Sequence, residues 1–445
     1  MRHSLLLPVI AATLFNSNWV FADSEAETIK QQLETIQKEY GQAIEDLENR
    51  LLETEQNVRQ TNTHAGQNSF NPAISIILDG RYSGFGNDLE GYELPGFALG
   101  GEAGLAEKGF SVGHSELVIS TNVDDKFFGK ITLAFDDHDG ETEAELEEAF
   151  IQTLGLGNGL TITAGRFFSQ VGYLNQQHEH QWDFADAPLI YRGLFGDQLI
   201  DDGVQMTWIA PTELFLQLGT ELFSGSRFPA GGRTNGVGAW TVFADIGGDI
   251  GIEHSWQLGV SHWQANNVEE RAGESHADDG GEAETPSFNG ESEINALDLV
   301  YKWAPNGNPS HRNVRFQFEY FERKEQGDVV ILGSGLPFEM TRFDGHQKGG
   351  YAQTVYKFQR QWQTGFRYDR LASQNRGSDA DVLAEAGLDN EGHAPQRYSV
   401  TLEWLPSEFS RLRLQYNRDE SSEETDDQIF LQYTMSLGSH GAHQF

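Results

Sequence analysis

Apolar and polar side chains alternate with period 2, segment after segment, from residue 73 to the end of the chain. Such alternation gives each strand one apolar and one polar face. Ile74, Ile76, Leu78 and Tyr82 oppose Ser75, Asp79 and Arg81, and Phe127, Ile131 and Leu133 oppose Lys130 and Thr132. Leu297, Leu299 and Tyr301 oppose Asp298 and Lys302, while Phe316, Phe318 and Tyr320 oppose Arg315, Gln317 and Glu319. Later, Phe366 and Tyr368 oppose Arg367 and Asp369, and Leu412, Leu414 and Tyr416 oppose Arg411 and Arg413. A soluble sandwich would bury these charges at a heavy desolvation cost. A closed cylinder of about sixteen strands encloses water instead, and it pairs every backbone amide inside lipid. The expected fold is therefore an all-β transmembrane barrel of about 16 antiparallel strands.

Connections alternate between short and long, the habit of outer-membrane barrels. Turn residues stand at Asn122-Val123-Asp124, Gly157-Asn158-Gly159, Ala210-Pro211-Thr212, Gly247-Gly248-Asp249 and Leu405-Pro406-Ser407. Long segments lie between them at 84–108, 169–202, 224–235, 266–288, 326–346 and 372–393. Mean hydropathy is only −0.50, because every second residue of such a barrel faces water. The 68 acidic residues against 30 basic ones give a net charge of −38, which argues against nucleic-acid binding. The same excess suggests cation preference. The absence of Cys excludes disulfides and thiolate metal sites.

Ahead of the barrel, residues 1–22 read as an export signal: Arg2 and His3, an apolar run, then Val20-Phe21-Ala22 before Asp23. Residues 23–60 read as an α-helical coiled coil, with Ile29, Leu33, Ile36, Tyr40, Ala43 and Leu47 on an a/d seam. Residues 61–72 form a linker and 73–445 the barrel. A short coil is marginal alone, so a homo-oligomer is expected, a trimer suiting a porin. The terminal Phe445 fits a signal for the barrel assembly machinery.

The longest connection, 169–202, is the third on its side and is expected to fold into the lumen as a constriction. Asp183, Asp186 and Asp197 there, opposite wall bases, would set a transverse field. The expected pore lining is Asp79, Arg81, Lys130, Asp298, Lys302, Arg315, Glu319, Arg367, Asp369, Arg411 and Arg413. His178, Glu179, His180 and Asp183 are ligand types suited to Zn²⁺, the one cofactor the residues suggest. The acid-rich stretch around Glu269, Glu270, Glu274, Asp278 and Asp279 reads as a solvated loop that could also meet lipopolysaccharide. Phosphate loops, nucleophile elbows and HExxH helices are all missing, so no enzyme is expected.

Signal, coil and barrel length together resemble trimeric porins of the phosphate-selective type and their coiled-coil-bearing relatives. More narrowly, Asn71-Pro72-Ala73-Ile74-Ser75, Gly101-Glu102-Ala103-Gly104-Leu105, Glu145-Leu146-Glu147-Glu148-Ala149-Phe150, Ala164-Gly165-Arg166-Phe167-Phe168, the stretch 182–189 and the Gly-Ala-His-x-Phe ending resemble proteobacterial proteins labelled zinc-regulated outer-membrane (TonB-dependent) receptors. A TonB-dependent receptor would carry a plug domain and a barrel of about 22 strands, and this chain has room for neither. Phosphate selectivity is not carried over, since no ladder of Arg and Lys is present. The resemblance implies an outer-membrane passive diffusion channel of a Gram-negative bacterium, with its coil in the periplasm. Zinc or other transition-metal uptake through His178 and His180, and a structural tether through the coil, are the alternatives.

Overall fold

The computed structural model describes residues 72–87, 92–100, 103–138, 141–232, 236–273, 285–332 and 339–438. The expected signal and coiled coil, most of the expected linker, Phe445 and most of the acid-rich stretch lie outside the described residues.

One antiparallel sheet closes on itself. Its first half comprises β1 (Ala73–Gly84), β2 (Gly109–Ser111), β3 (Ser115–Asn122), β4 (Phe127–His138) and β5 (Glu141–Thr153). It continues through β6 (Leu160–Phe168), β7 (Ile200–Ile209), β8 (Phe215–Phe223) and β9 (Ala239–Ile250). The second half holds β10 (His254–Ala272), β11 (Thr285–Trp303), β12 (Asn313–Leu332) and β13 (Glu339–Gln359). It ends with β14 (Trp362–Gly377), β15 (Gln396–Ser407), β16 (Ser410–Glu420) and β17 (Asp426–Gly438). Of these 17 segments β2 and β3 are two pieces of one position, both paired to β1, which leaves 16 strands. Pairing of β1 with β17 closes the ring.

Period-2 burial follows the sequence pattern. In β15 the outward Tyr398, Val400, Leu402 and Trp404 are exposed while Arg397, Ser399, Thr401 and Glu403 are buried. Trp362 stacks on Trp404 near one edge of this apolar belt, and Tyr368 meets Tyr398 at the other. Six residues separate Trp362 from Tyr368, about 20 Å along a strand, close to the height of a lipid-facing band. Past that upper aromatic row the outward residues turn polar without a change of phase. In β12, Tyr320 is followed outward by Glu322, Lys324 and Gln326.

Three of the five expected turns lie between strands. Gly247-Gly248-Asp249 instead lies inside β9, paired with 255–257, and the chain reverses at 251–253. A Cβ on Gly247 would meet the Trp256 carbonyl oxygen at 2.8 Å, so this glycine serves close strand contact rather than a turn. Leu405-Pro406-Ser407 likewise belongs to β15, at a register shift beside the turn, where a proline without an N–H is tolerated. The described residues of the expected loops 266–288 and 326–346 are nearly all strand, because β10 to β13 run 19, 19, 20 and 21 residues. About 9–11 residues suffice to cross a bilayer, so these walls rise well beyond the belt.

The lumen corrects the expectation of a wide water-filled tube. Its long-loop half holds an apolar core built from Leu94 and Phe97 of the first connection, Leu174, Tyr191, Leu194 and Phe195 of the third, and Val382 and Leu383 of a short helix. Wall residues Trp263, Ile294, Phe321 and Leu371 close around it. These wall positions face inward by the same alternation. Inside is therefore not uniformly polar, and period 2 alone does not reveal where the interior changes character.

Candidate functional site

Residues 169–199 leave β6, cross the barrel and return to β7, with helix α1 (Leu189–Phe195) on the return path. Asn175 ties the base of this loop: its side-chain amide donates to the Ser169 and Leu199 carbonyls at 2.8 Å each, and its oxygen accepts from the Leu199 amide at 2.7 Å. Gly172, at φ +74, passes so close to the wall that a Cβ would lie 2.5 Å from a Glu319 oxygen.

The tip docks on β12 and β14 to β16, half-way round the ring from where the loop begins. Asp183 pairs with Arg315 and accepts from Gln353 at 3.2 Å. Asp186 is buried between Arg367 at 2.7 Å and Arg397 at 2.9 Å. It also accepts from Gln415 at 2.7 Å and Asn417 at 2.8 Å. Burial alone would raise its pKa, but Arg397, Arg367 and Arg192 reverse this and hold the carboxyl well below the usual range. Asp369 receives Arg367 at 3.0 Å and the Leu189 amide at 3.0 Å. Glu319 accepts from Tyr191 at 2.7 Å, Tyr351 at 2.6 Å and the Leu174 amide at 2.9 Å. Asp197 stays in its own loop, 3.8 Å from Arg192, and burial pushes it up to about 7.

Every residue of the expected lining faces inward, but the set divides. Lys130, Lys302, Arg315 and Arg411 line a cavity of about 700 Å³ on the short-turn side of the loop. Glu116, Glu148, Asp183 and Asp245 line it too. Glu319, Arg367, Asp369 and Arg413 lie under the loop and serve to seat it; Arg413 pairs with Glu403 at 2.5 Å and donates to the Trp182 carbonyl. Asp79 is buried against Gln432 at 2.8 Å, Arg81 reaches Glu179 at 3.7 Å, and Asp298 is buried on β11. Because Asp183 and Asp186 touch their bases directly, opposite charges here fasten the loop instead of facing each other across open space.

The expected metal set is regrouped. Glu179 turns to Arg81 and Asp183 to Arg315, whereas His178 and His180 stack at 5.5 Å and meet wall carboxylates. His180 Nδ1 lies 2.7 Å from Glu116, and His178 Nδ1 lies 3.3 Å from Glu116 and 3.1 Å from Glu147. Burial disfavours a charged His178, yet Glu116, Glu147 and Glu148 hold its pKa well above the ordinary histidine value. His114 joins from the gap between β2 and β3, 3.3 Å from Glu147. Two irregularities in the sheet make this meeting possible. A register shift sets Thr132 opposite Glu148 and Leu133 opposite Leu146, leaving Glu147 as an extra residue, so consecutive Glu147 and Glu148 are both buried. Gly113, at φ +61, breaks the strand beside His114. A bulge re-aims a side chain that strict alternation would send outward, and no sequence period signals it.

Sixteen strands closed around a lumen that an inserted third loop crosses define a porin-like barrel. No family model matches the chain. An uncharacterized protein of Aquifex aeolicus (strain VF5) is 31% identical over 411 residues, 85% of this chain and 81% of that protein. The chain belongs to the same family as that Aquifex protein. Among solved structures it is similar over 82% of its length to the trimer form of OmpT of Vibrio cholerae, at TM-score 0.48 and 9% identity, covering 99% of that chain. It is similar over the same share to the outer membrane channel DcaP of Acinetobacter baumannii, at TM-score 0.44, 14% identity and 97% coverage of that chain. An anion-selective porin from Comamonas acidovorans gives 0.43, 10% and 99%, again over 82% of this chain. None of these likenesses points to the zinc-regulated receptor group, and that narrower placement is not carried forward.

Proposed function

We propose that this protein is a passive diffusion channel of a Gram-negative outer membrane, in which the inserted loop sieves small solutes and ions by size and charge. The observation that carries this reading is a lumen crossed by a fastened loop, inside a cylinder whose outer belt is apolar. Lipid outside the belt satisfies Val400, Leu402 and their neighbours, which water would not. The cavity below the loop has Lys130, Lys302, Arg315 and Arg411 against Glu116, Glu148, Asp183 and Asp245. Charges of both signs at close quarters give weak ion selectivity, so a preference for cations would have to come from the acidic loops. Residues 23–60 would trimerise the chain on the periplasmic side, and Phe445 would serve its assembly.

Single-channel recording in planar bilayers tests the proposal. Discrete conductance steps are expected, with a reversal potential in a KCl gradient close to zero or on the cation side. Folded protein that inserts and never conducts would overturn the channel reading, and a reversal potential favouring chloride would overturn the cation preference.

A further inference from the structure

We infer that His178 and His180 of the inserted loop, with Glu116 on the wall and His114 and Glu147 beside it, form a binding site for one first-row transition-metal dication, of which Zn²⁺ is the natural probe. Bound there, the ion pins the loop to the β3–β5 side of the barrel. The site holds a resident ion and does not depend on whether the channel conducts.

The donors are arranged as a coordination shell requires. Glu116, His178 and His180 each present one ligand atom within 4.8 Å of the others, and so do His114, Glu116 and Glu147. Neighbouring donors lie 2.7, 3.1, 3.3, 3.3 and 3.9 Å apart, a spread centred on 3.3 Å. Zinc–ligand bonds of about 2.0–2.1 Å in a tetrahedron place donors about 3.3 Å from one another, so shifts of about half an ångström in these side chains would close the shell. The imidazoles are also oriented from behind. His178 turns Nδ1 into the cluster while its Nε2 lies 2.9 Å from Glu148 and 3.1 Å from Lys130 Nζ. His114 turns Nε2 inward while its Nδ1 lies 2.9 Å from Asp136. An outer carboxylate on the far nitrogen of a histidine is the usual support of a metal ligand.

Local hydrogen bonds join His178 to Glu147 and His180 to Glu116 but leave other donors of the cluster unused. Glu116 Oε2 and His114 Nε2 are buried within ion-pair distance of neighbours, yet neither forms a hydrogen bond. Four carboxylates gather here: Glu116, Glu147 and Asp136 face the three histidines, and Glu148 lies between His178 and Lys130, the latter at 2.5 Å. Buried carboxylates need compensating charge, and a dication supplies it where the free donor atoms already point. Mixed imidazole and carboxylate donors suit zinc and its first-row neighbours better than Ca²⁺ or Mg²⁺. The β5 bulge and the break before β3 spend sheet regularity to bring Glu147 and His114 here, as expected beside a functional site.

The test uses tag-free, full-length protein, stripped with chelator in detergent and checked for the folded, heat-modifiable form. Calorimetric titration with Zn²⁺ is expected to give one ion per chain, and X-ray absorption at the zinc edge to give at least two imidazole ligands. Glu116→Gln and His178→Ala are each expected to weaken binding by at least about 10–100-fold, the loss typical of removing even an outer partner of a ligand. His346→Ala, on a half-buried pair with Glu322 elsewhere on the wall, should leave it unchanged. Zinc should also slow hydrogen exchange in residues 169–199. Should His178→Ala fail to fold, the near-isosteric Glu116→Gln carries the test. No saturable zinc, unaltered affinity in folded Glu116→Gln, or a shell without imidazole would each overturn the site. None of these readouts requires ion conduction, so failure here and failure of the channel reading are separately visible.

Discussion

Replacing Asp186 by Ala should release the inserted loop. In the native protein its carboxylate lies between Arg367 and Arg397, both almost wholly buried, with Asp369 as their other partner at 3.0 and 3.6 Å. Without Asp186 two guanidinium groups share one carboxylate, and Gln415 and Asn417 lose the oxygen they donate to. Breaking a buried ion pair by removing one partner costs ~3–5 kcal/mol. If that cost falls on loop docking, the undocked population rises about 10²–10⁴-fold at 1.36 kcal/mol per decade. Hydrogen exchange by mass spectrometry over residues 183–195 reads this directly, as an equal loss of protection, and single-channel recording should show a larger or noisier conductance. Asp186→Asn keeps the shape and loses the charge, so it should behave like Asp186→Ala. Pairing Asp186→Asn with Arg397→Met restores charge balance and should recover part of the protection, a coupling that a double-mutant cycle measures. Native protection of residues 183–195 in folded Asp186→Ala would refute the claim that this ion cluster seats the loop.

Tyr191→Phe removes the hydrogen bond to the buried Glu319 carboxylate and the acceptor of the Asn175 amide, and should destabilise loop docking by ~1–3 kcal/mol, read by the same exchange experiment. Asp197 has a folded pKa of about 7 against an ordinary 3.8, so the folded protein holds a proton there that the unfolded chain releases. Its contribution to stability is complete below about pH 4 and is lost as pH rises through about 7. Thermal melting across that window should therefore fall more steeply in the native protein than in Asp197→Asn, and parallel curves would exclude the effect. Val400→Arg places a charge in the middle of the apolar belt and should cost ~2–4 kcal/mol in bilayer refolding titrations; a neutral result would mean that this face does not meet lipid. Lys302→Glu with Arg411→Glu reverses two of the four cavity bases and should move the reversal potential toward potassium.

Alternation by itself determined the barrel. A strand with Tyr398, Val400, Leu402 and Trp404 on one face and Arg397, Thr401 and Glu403 on the other can satisfy both only between an apolar and a polar phase. It also fixed which way Arg367, Arg413 and Glu319 point, because facing depends on parity alone. Glycine and proline marked turns less faithfully: at Gly247 and Pro406 the same residues serve close packing and a strand-end bulge. What the inward residues touch was decided by tertiary structure. One partner of Arg367 is Asp186, 181 positions away along the chain, and no local period encodes such a pairing. His178 could be placed near His180 from spacing, but Glu116, Glu147 and His114 reach them only through a one-residue bulge and a broken strand. Which wall residues such irregularities set against the loop depends on strands brought together only once the ring has closed.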